Sequence, residues 1–164
     1  MAELRTAVLI AATVSVGAMA GIFQLYAYAI MPGLARTDDR TFVAAFQRID
    51  SAIINPLFML NFLGALVLLA AAVALHLGEG EREVLPWAIA ALVLYVATVV
   101  PTLAVNVPMN DRVKAAGDPA VIDVTATRRE FNERRWAGWN IFRVLATTGA
   151  LVCLAWALIE APRP

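Results

Sequence analysis

Asparagine, tryptophan and arginine side chains are concentrated at two points of a chain that is otherwise largely hydrocarbon. Asn106 and Asn110 follow its third apolar run, and Trp136, Asn140 and Arg143 open its fourth. A guanidinium and two amides can donate hydrogen bonds to an oxyanion, and indole rings offer flat apolar walls to an aromatic ligand. We therefore predict that Arg143, Asn140 and Asn110 form the reactive part of a site.

Six further side chains are expected to contact a ligand beside those three. Trp136, Asn140 and Arg143 are spaced to share one face of a helix. Gln24 lies inside an apolar run, where an amide needs a partner within the protein, so interhelical hydrogen bonding explains it equally well. The expected ligand-binding residues are Trp136, Trp139, Asn106, Gln47, Asn55 and Gln24.

Arg143 is the most demanding of these residues, because it lies one turn inside an apolar run. A buried arginine is costly unless a carboxylate, several carbonyls or a ligand pairs with it, so we interpret it as a functional residue. Two other interpretations stay open. The side chain could extend to the membrane surface, or it could pair with Glu133 or Asp50 and hold the helices of that end together.

A metal or haem site is not supported by the chain's single histidine and single cysteine. His76 and Cys153 fall in different apolar runs with no ligand spacing between them, and a metal site needs several such ligands brought together. Cys153 has no partner for an intrachain disulfide, and we interpret it as a small apolar side chain. We expect no metal and no other bound cofactor.

The composition of the 164-residue chain is typical of an integral membrane protein. Hydrophobic residues make up 61% of the chain and charged residues only 16%, and the mean hydropathy is +0.72. Soluble domains average about 25% charged residues. The net charge of zero argues against a nucleic-acid partner.

Four apolar runs are long enough to cross a bilayer, since about 20 helical residues span a hydrocarbon core of roughly 30 Å. They predict transmembrane helices at about 5–31, 53–77, 85–107 and 139–160. Ala18-Met19-Ala20 resembles the cleavage site of a secretory signal, but the apolar run continues to Met31, so we expect a retained helix.

Two amphipathic helices are predicted in the longer connections, at about 38–52 and 119–136. Apolar residues recur at helical spacing behind Asp38 or Asp39, either of which suits an N-cap. Asp118-Pro119 is typical of an N-cap followed by the first helical residue. The second amphipathic helix is expected to run almost continuously into the fourth transmembrane helix.

Prolines are expected to shape two of the transmembrane helices. Pro32-Gly33 should end the first, because neither residue continues a helix well. Pro101 lies deep within the third and frees the carbonyl of Ala97. The hydroxyls of Thr98 and Thr102 are placed to satisfy the backbone at the resulting kink.

We predict one domain, residues 1–164, with an all-α fold: an integral membrane four-helix antiparallel bundle with two amphipathic helices capping one face. Basic residues favour that face by nine to three, so the positive-inside rule places the long connections in the cytoplasm and both termini outside. We expect the inner (plasma) membrane of a bacterial-type cell. The nine are Arg36, Arg40, Arg48, Arg112, Lys114, Arg128, Arg129, Arg134 and Arg135, and the three are Arg5, Arg82 and Arg163.

Short motifs in this order resemble the anthrone oxygenase-like family of small four-helix membrane proteins. The matching features are Met31-Pro32-Gly33, the amphipathic helix with Gln47 leading to Asn55-Pro56, the segment from Asn106 to Asn110, and the closing Trp136, Trp139-Asn140 and Arg143. The resemblance implies an enzyme of aromatic polyketide pathways. Such enzymes convert an anthrone methylene to a quinone carbonyl with dioxygen and without a bound cofactor.

That chemistry requires a base and a stabilised oxyanion, because only an electron-rich carbanion or enolate reduces dioxygen directly. Arg143, Asn140 and Asn110 are suited to the oxyanion. Asp50, Asp111 and Glu133 lie near the same face, and the sequence does not choose a base among them.

Two functions follow, and both involve the lipid bilayer. The first is a cofactor-independent oxygenase, or related redox enzyme, that uses dioxygen to oxidise a lipophilic phenolic or anthrone-like aromatic. The alternative is a non-catalytic membrane module that binds or carries a small lipophile or assists a partner enzyme. The sequence is compatible with a homo-oligomer and does not specify the oligomeric state.

Overall fold

A computed structural model describes residues 1–78 and 83–161, and within these ranges it is helical with no strand. Four helices are long and apolar enough to cross a membrane. The all-α prediction and the predicted four-helix bundle are thereby confirmed. The helices are α1 (Ala2–Leu34), α2 (Asp39–Ile53), α3 (Pro56–Leu75), α4 (Leu85–Ala115), α5 (Val124–Phe131) and α6 (Glu133–Glu160).

The four long helices form a closed ring around an apolar core. α1 packs against α3 and α6, and α4 packs against the same two helices. Leu9, Met19, Leu69 and Leu154 are fully buried between them. Large apolar side chains cover the outside as well, as expected of a surface in contact with lipid. The most exposed of these include Leu57, Leu60, Val67, Leu145 and Val152.

Two single turns of π-helix, which we call π-turns, interrupt the long helices, and each ends two residues before a proline. The first covers Tyr26–Ile30, where the Met31 N–H donates to the Tyr26 carbonyl, and the second covers Thr102–Asn106. The shifted hydrogen-bond register accommodates Pro32 and Pro108, which lack an N–H. The prediction that Pro32-Gly33 ends the first helix is therefore wrong, because α1 continues to Leu34.

The same effect lengthens α4. It runs to Ala115 rather than to the predicted 107, so Asn110 lies inside the helix and does not end it. At Pro101 the hydroxyl of Thr102 donates to the Thr98 carbonyl at 2.8 Å, and the hydroxyl of Thr98 donates to Leu94 at 3.2 Å. Both threonines bond backbone carbonyls near the proline, although neither bonds Ala97.

The amphipathic helices α2 and α5 cover one end of the bundle. Asp38 caps α2, where its carboxylate accepts hydrogen bonds from the Thr41 N–H and hydroxyl, and these bonds lower the pKa of Asp38. The apolar faces of both helices pack on the ends of α4 and α6 in one aromatic cluster. Its members include Phe42, Phe46, Met109, Val113, Phe131 and Trp136.

The second amphipathic helix is shorter than the predicted 119–136. Asp118 accepts a hydrogen bond from the Ala120 N–H within a turn, and Asp123 is the residue that caps α5. Both aspartates are suited to cap a helix, but Asp118 bonds the Ala120 N–H within a turn, so the helix begins only after Asp123. Asn132 then separates α5 from α6 with a φ of 54°, a left-handed conformation that asparagine tolerates better than most residues.

The charge argument for orientation depends partly on residues outside the described ranges, since Arg82 and Arg163 fall there. The predicted connection from Gly78 to Val84 also lies largely outside them. An integral membrane protein is supported by the four spans. The cytoplasmic position of the long connections stays a prediction.

Candidate active site

A small cavity lies beneath the cap, and residues of α1, α2, α3, α4 and α6 line it. Its volume is about 60 Å³. We call it the inner cavity. Most of its wall is apolar, and the polar side chains on it are Tyr26, Asp50, Asn110, Trp136 and Arg143.

Arg143 reaches this cavity from the second turn within the apolar part of α6. The residue is only 5% exposed, and its guanidinium donates to Asn140 Oδ1 at 2.9 Å and lies 3.5 Å from the hydroxyl of Thr102. The guanidinium carbon stacks over Phe23 at 4.5 Å and over Trp136 at 5.3 Å. Its Nε has no hydrogen-bond partner among the described residues.

Neither carboxylate proposed as a structural partner for Arg143 is paired with it. Glu133 accepts a hydrogen bond from Arg128 Nε at 2.7 Å, and Asp50 lies 2.9 Å from Lys114 Nζ. A buried guanidinium without a carboxylate retains its capacity to bind an anion.

Asp50, on α2, is the carboxylate of the inner cavity and is itself buried. Its Oδ1 accepts a 2.6 Å hydrogen bond from the Asn110 amide, and the Asn110 carbonyl oxygen accepts one from Trp136 Nε1 at 2.8 Å. Lys114 bridges Asp50 to Asp111, whose carboxylate lies 3.0 Å away and is largely exposed. One connected network therefore positions the acid and the indole on opposite sides of Asn110.

Asn140 and Asn106 contact residues of the site without lining the inner cavity themselves. Asn140 accepts from Arg143 and donates to the Phe23 carbonyl at 3.0 Å, so it orients the guanidinium. Asn106 is 1% exposed, and its amide lies 3.4 Å from the Trp136 carbonyl. Neither residue lines the inner cavity.

A second, larger cavity lies beside the first, between the end of α1 and the start of α6. Its volume is about 290 Å³, and its wall is mostly apolar. We call it the outer cavity. Asn140 lines it, and Tyr26 and Trp136 line both cavities. The ring centres of Tyr26 and Trp136 are 5.8 Å apart, so this aromatic pair forms the partition.

Five of the six predicted ligand-binding residues line neither cavity, and Asn106 is one of them. Gln47 donates to the carbonyls of Val113 and Gly117 and thereby ties α2 to the end of α4. Asn55 caps α3. Gln24 donates to the Thr148 hydroxyl at 3.2 Å, which is the interhelical bond left open as its alternative. Trp139 is 38% exposed on the outside of α6 and stacks edge-on with Phe142.

Two important residues were not among the predicted site residues. Tyr26 was missed because hydrophobic periodicity does not reveal a π-turn, and Pro32 six residues later is the only local signal of one. Lys114 was counted as a surface charge, but its side chain is 26% exposed and pairs with the buried Asp50.

Within the described ranges, no group of three or more His, Cys, Asp and Glu side chains could hold a metal ion. The expectation of a cofactor-free protein stays a prediction.

A family model described as anthrone oxygenase matches residues 56–153, which is more than half of the chain. The match includes Asn106, Asn110, Trp136, Asn140 and Arg143, and it leaves out α1 and α2, which carry Tyr26 and Asp50. Neither a curated protein nor a solved structure matches the chain.

Proposed function

The chain belongs to the anthrone oxygenase family, and we propose that it is a membrane oxygenase. In this proposal it uses dioxygen, without a bound cofactor, to convert the activated methylene of a lipophilic phenolic or anthrone-like aromatic into a carbonyl. One observation carries the proposal: the carboxylate of Asp50 and the guanidinium of Arg143, which has no carboxylate partner among the described residues, line one cavity.

Asp50 is the proposed base. It is the carboxylate on the wall of the cavity, whereas Glu133 is paired with Arg128 and Asp111 is exposed. A carboxylate has about four lone-pair sites, so the bonds from Asn110 and Lys114 leave others for a proton. The acidic hydrogen of a methylene flanked by aromatic rings would pass to Asp50 and leave an enolate.

Arg143 is the proposed oxyanion-binding residue. When dioxygen adds to the reacting carbon, the peroxide anion that forms carries its negative charge at the same edge of the substrate as the methylene, and a guanidinium already fixed in a buried site stabilises that charge without having to reorganise. Asn140 holds the guanidinium in position through a bond of 2.9 Å and is therefore a positioning residue. This role differs from the direct oxyanion contact expected of Asn140 from the sequence.

The remaining steps need only dioxygen. The enolate carbon transfers electrons to dioxygen and forms a carbon–oxygen bond, and the resulting peroxide anion takes the proton back from Asp50. Loss of the second methylene hydrogen then breaks the O–O bond. One oxygen atom becomes the carbonyl and the other leaves as water, so four electrons leave the carbon and four reduce dioxygen.

The proposal is tested by incubating the purified protein with anthrone in air and under nitrogen. We expect the protein to accelerate dioxygen uptake and to form anthraquinone in equal amount, with no product under nitrogen. The proposal would be contradicted if anthrone were oxidised at the same rate with the wild-type protein as with buffer alone.

The second candidate function is a non-catalytic module that binds a lipophile, and the outer cavity favours it. An apolar pocket at the side of a membrane bundle can hold a ligand without any chemistry. Saturable binding of anthraquinone with no acceleration of dioxygen uptake from anthrone would identify this function instead.

A further inference from the structure

We infer that the substrate is shared between the two cavities, with its fused rings in the outer cavity and its reacting edge passing between Tyr26 and Trp136 into the inner one. Ala27 and Ala137 then set the largest ring system that fits. This inference rests on the proposed oxygenase function for the identity of the reacting edge.

The volumes of the two cavities favour such a division. Pockets for small molecules measure about 300–1,000 Å³, and the inner cavity, at about 60 Å³, is far below that range. It has room for dioxygen and the edge of one ring. The outer cavity, at about 290 Å³, lies at the lower end of the range and has few polar groups on its wall.

The position of the outer cavity suits a ligand that arrives from lipid. Pro32 and Ile141 lie on its rim and are exposed on the outside of the bundle. Glu133 and Arg134 line its other end, near the polar start of α6. A flat apolar molecule with a polar edge would be placed at the boundary between hydrocarbon and water, where amphipathic aromatics prefer to lie.

Of the two side chains that form the partition, one is held by a hydrogen bond and the other is not. Trp136 is 3% exposed and is held by its hydrogen bond to Asn110. The hydroxyl of Tyr26, by contrast, has no hydrogen-bond partner among the described residues, and its backbone lies in a π-turn, a feature frequent at functional sites. We therefore assign Tyr26 as the side chain that gives way when the reacting edge enters.

Alanine on both sides of the outer cavity keeps it open. Ala27 lines it from α1 and Ala137 lines it from α6, and a longer side chain at either position would occupy the space of a ring. The chain supplies matched controls next to both. Ala29 lies in the same π-turn but is exposed and lines neither cavity, and a Cβ added to the exposed Gly138 meets no atom within 4 Å.

The test measures binding of anthraquinone, an unreactive three-ring probe, to the purified protein in detergent. Thermal stabilisation and saturable quenching of tryptophan fluorescence report the binding. We expect wild type, Ala29→Leu and Gly138→Ala to bind alike. Ala27→Leu and Ala137→Leu should bind more weakly by about tenfold or more, since extra methylenes in a filled site are strongly destabilising. Ala137→Val provides an intermediate step if a leucine variant does not fold, and its loss should be smaller than that of leucine but measurable.

Two results would overturn the inference: no saturable binding by wild type, or unchanged binding in folded Ala27→Leu and Ala137→Val. Dioxygen uptake with anthrone is measured on the same samples. A wild type that binds anthraquinone and loses binding in the cavity variants, yet consumes no dioxygen, supports the ring cavity and refutes the oxygenase function. The two proposals can therefore fail separately.

Discussion

The guanidinium carbon of Arg143 lies 4.5 Å from the centre of the Phe23 ring. An aromatic face attracts a cation without neutralising it, and a cation–π contact is worth about 2 kcal/mol or more when desolvated. This contact helps to explain how an arginine that is only 5% exposed is tolerated with no carboxylate partner in the described part of the chain. The positive charge is thereby available to a substrate.

The first prediction concerns the base. Asp50→Asn keeps the shape of the side chain but removes the carboxylate that would take the proton. The rate of dioxygen uptake with anthrone should fall by about 100-fold or more, the usual contribution of a general base. Asp111→Asn is the matched control, because Asp111 shares the same Lys114 partner but is exposed and lines neither cavity. Equal losses in both variants would assign the effect to Lys114 and not to catalysis.

The second prediction concerns the oxyanion site. Arg143→Lys keeps the charge but loses the planar fork that bonds Asn140 and an oxyanion together. We expect the turnover rate to fall by about 100-fold, while the protein still purifies as a folded bundle. Arg135→Lys, at an exposed position of the same helix, should behave as wild type. If Arg143→Lys retained full activity, the guanidinium would have only a structural role, and the prediction would be wrong.

Arg143 also allows a test of the pairing alternative. If the residue served only to hold the cap by pairing with Asp50, the double exchange Asp50→Arg with Arg143→Asp would recover stability and activity together. We expect it to recover neither, because Asp50 is paired with Lys114 and hydrogen-bonded to Asn110. Thermal denaturation and dioxygen uptake of both single variants and the double variant make the comparison.

The third prediction concerns the network through Asn110. Trp136→Phe retains an aromatic ring at the partition but removes the indole N–H that donates to Asn110 at 2.8 Å. Stability should drop by about 0.5–1.5 kcal/mol, as for a typical lost hydrogen bond. The amide of Asn110 would also lose one of the two contacts that orient it toward Asp50. A turnover rate that falls while anthraquinone binding is retained would agree with this role, and a loss of binding alone would contradict it.

The fourth prediction concerns the break between α5 and α6. Asn132 has a φ of 54°, and its side chain accepts a hydrogen bond from the Arg135 N–H. Asn132→Ala should lower the free energy of unfolding by about 1–2 kcal/mol, because alanine is strained at this φ and cannot cap. Asn132→Gly relieves the strain and should cost only a few tenths of a kcal/mol. The reverse order in a thermal denaturation series would contradict the left-handed assignment.

The fifth prediction concerns orientation. Single cysteines are introduced by Arg112→Cys and Gly78→Cys in a Cys153→Ala background, since both sites are exposed and lie at opposite ends of the bundle. An impermeant thiol reagent should label the position 78 variant in intact cells. The position 112 variant should react only after the membrane is opened, because the charge bias predicts that its end of the bundle lies in the cytoplasm. The opposite pattern would invert the topology.

The lengths of the apolar runs predicted the four spans well, and the polar residues among them led to Arg143 and Asn110, which share one cavity. The position of Arg143 was informative because a charge one turn inside hydrocarbon needs a reason. The two π-turns could not be predicted, since a shift of one residue barely changes an apolar pattern. That is why Pro32 was expected to end a helix and why Tyr26 was overlooked.

The second limit on predicting the site from the sequence was that small polar side chains can be buried for structural reasons alone. Gln47, Asn55 and Gln24 looked suitable for ligand binding, but each satisfies a nearby backbone or side-chain group and lines neither cavity. An amide in an apolar context needs a hydrogen-bond partner for stability alone, and only tertiary structure tells whether the partner is a helix or a substrate.

The π-turn at Tyr26–Ile30 holds one residue more than a regular helical turn, so α1 responds differently to a deletion inside the turn and to one outside it. Removing one residue from the regular part of α1 between Phe23 and the turn would rotate the N-terminal part by roughly 100° relative to the rest, since a helix has 3.6 residues per turn. Phe23, which lies under the guanidinium, and Leu9 and Met19, which fill the core, would then all leave their positions together. Removing one residue within the turn would instead restore a regular helix and leave both flanks in register, so the π-turn is the place where α1 can lose a residue without moving Phe23 away from Arg143.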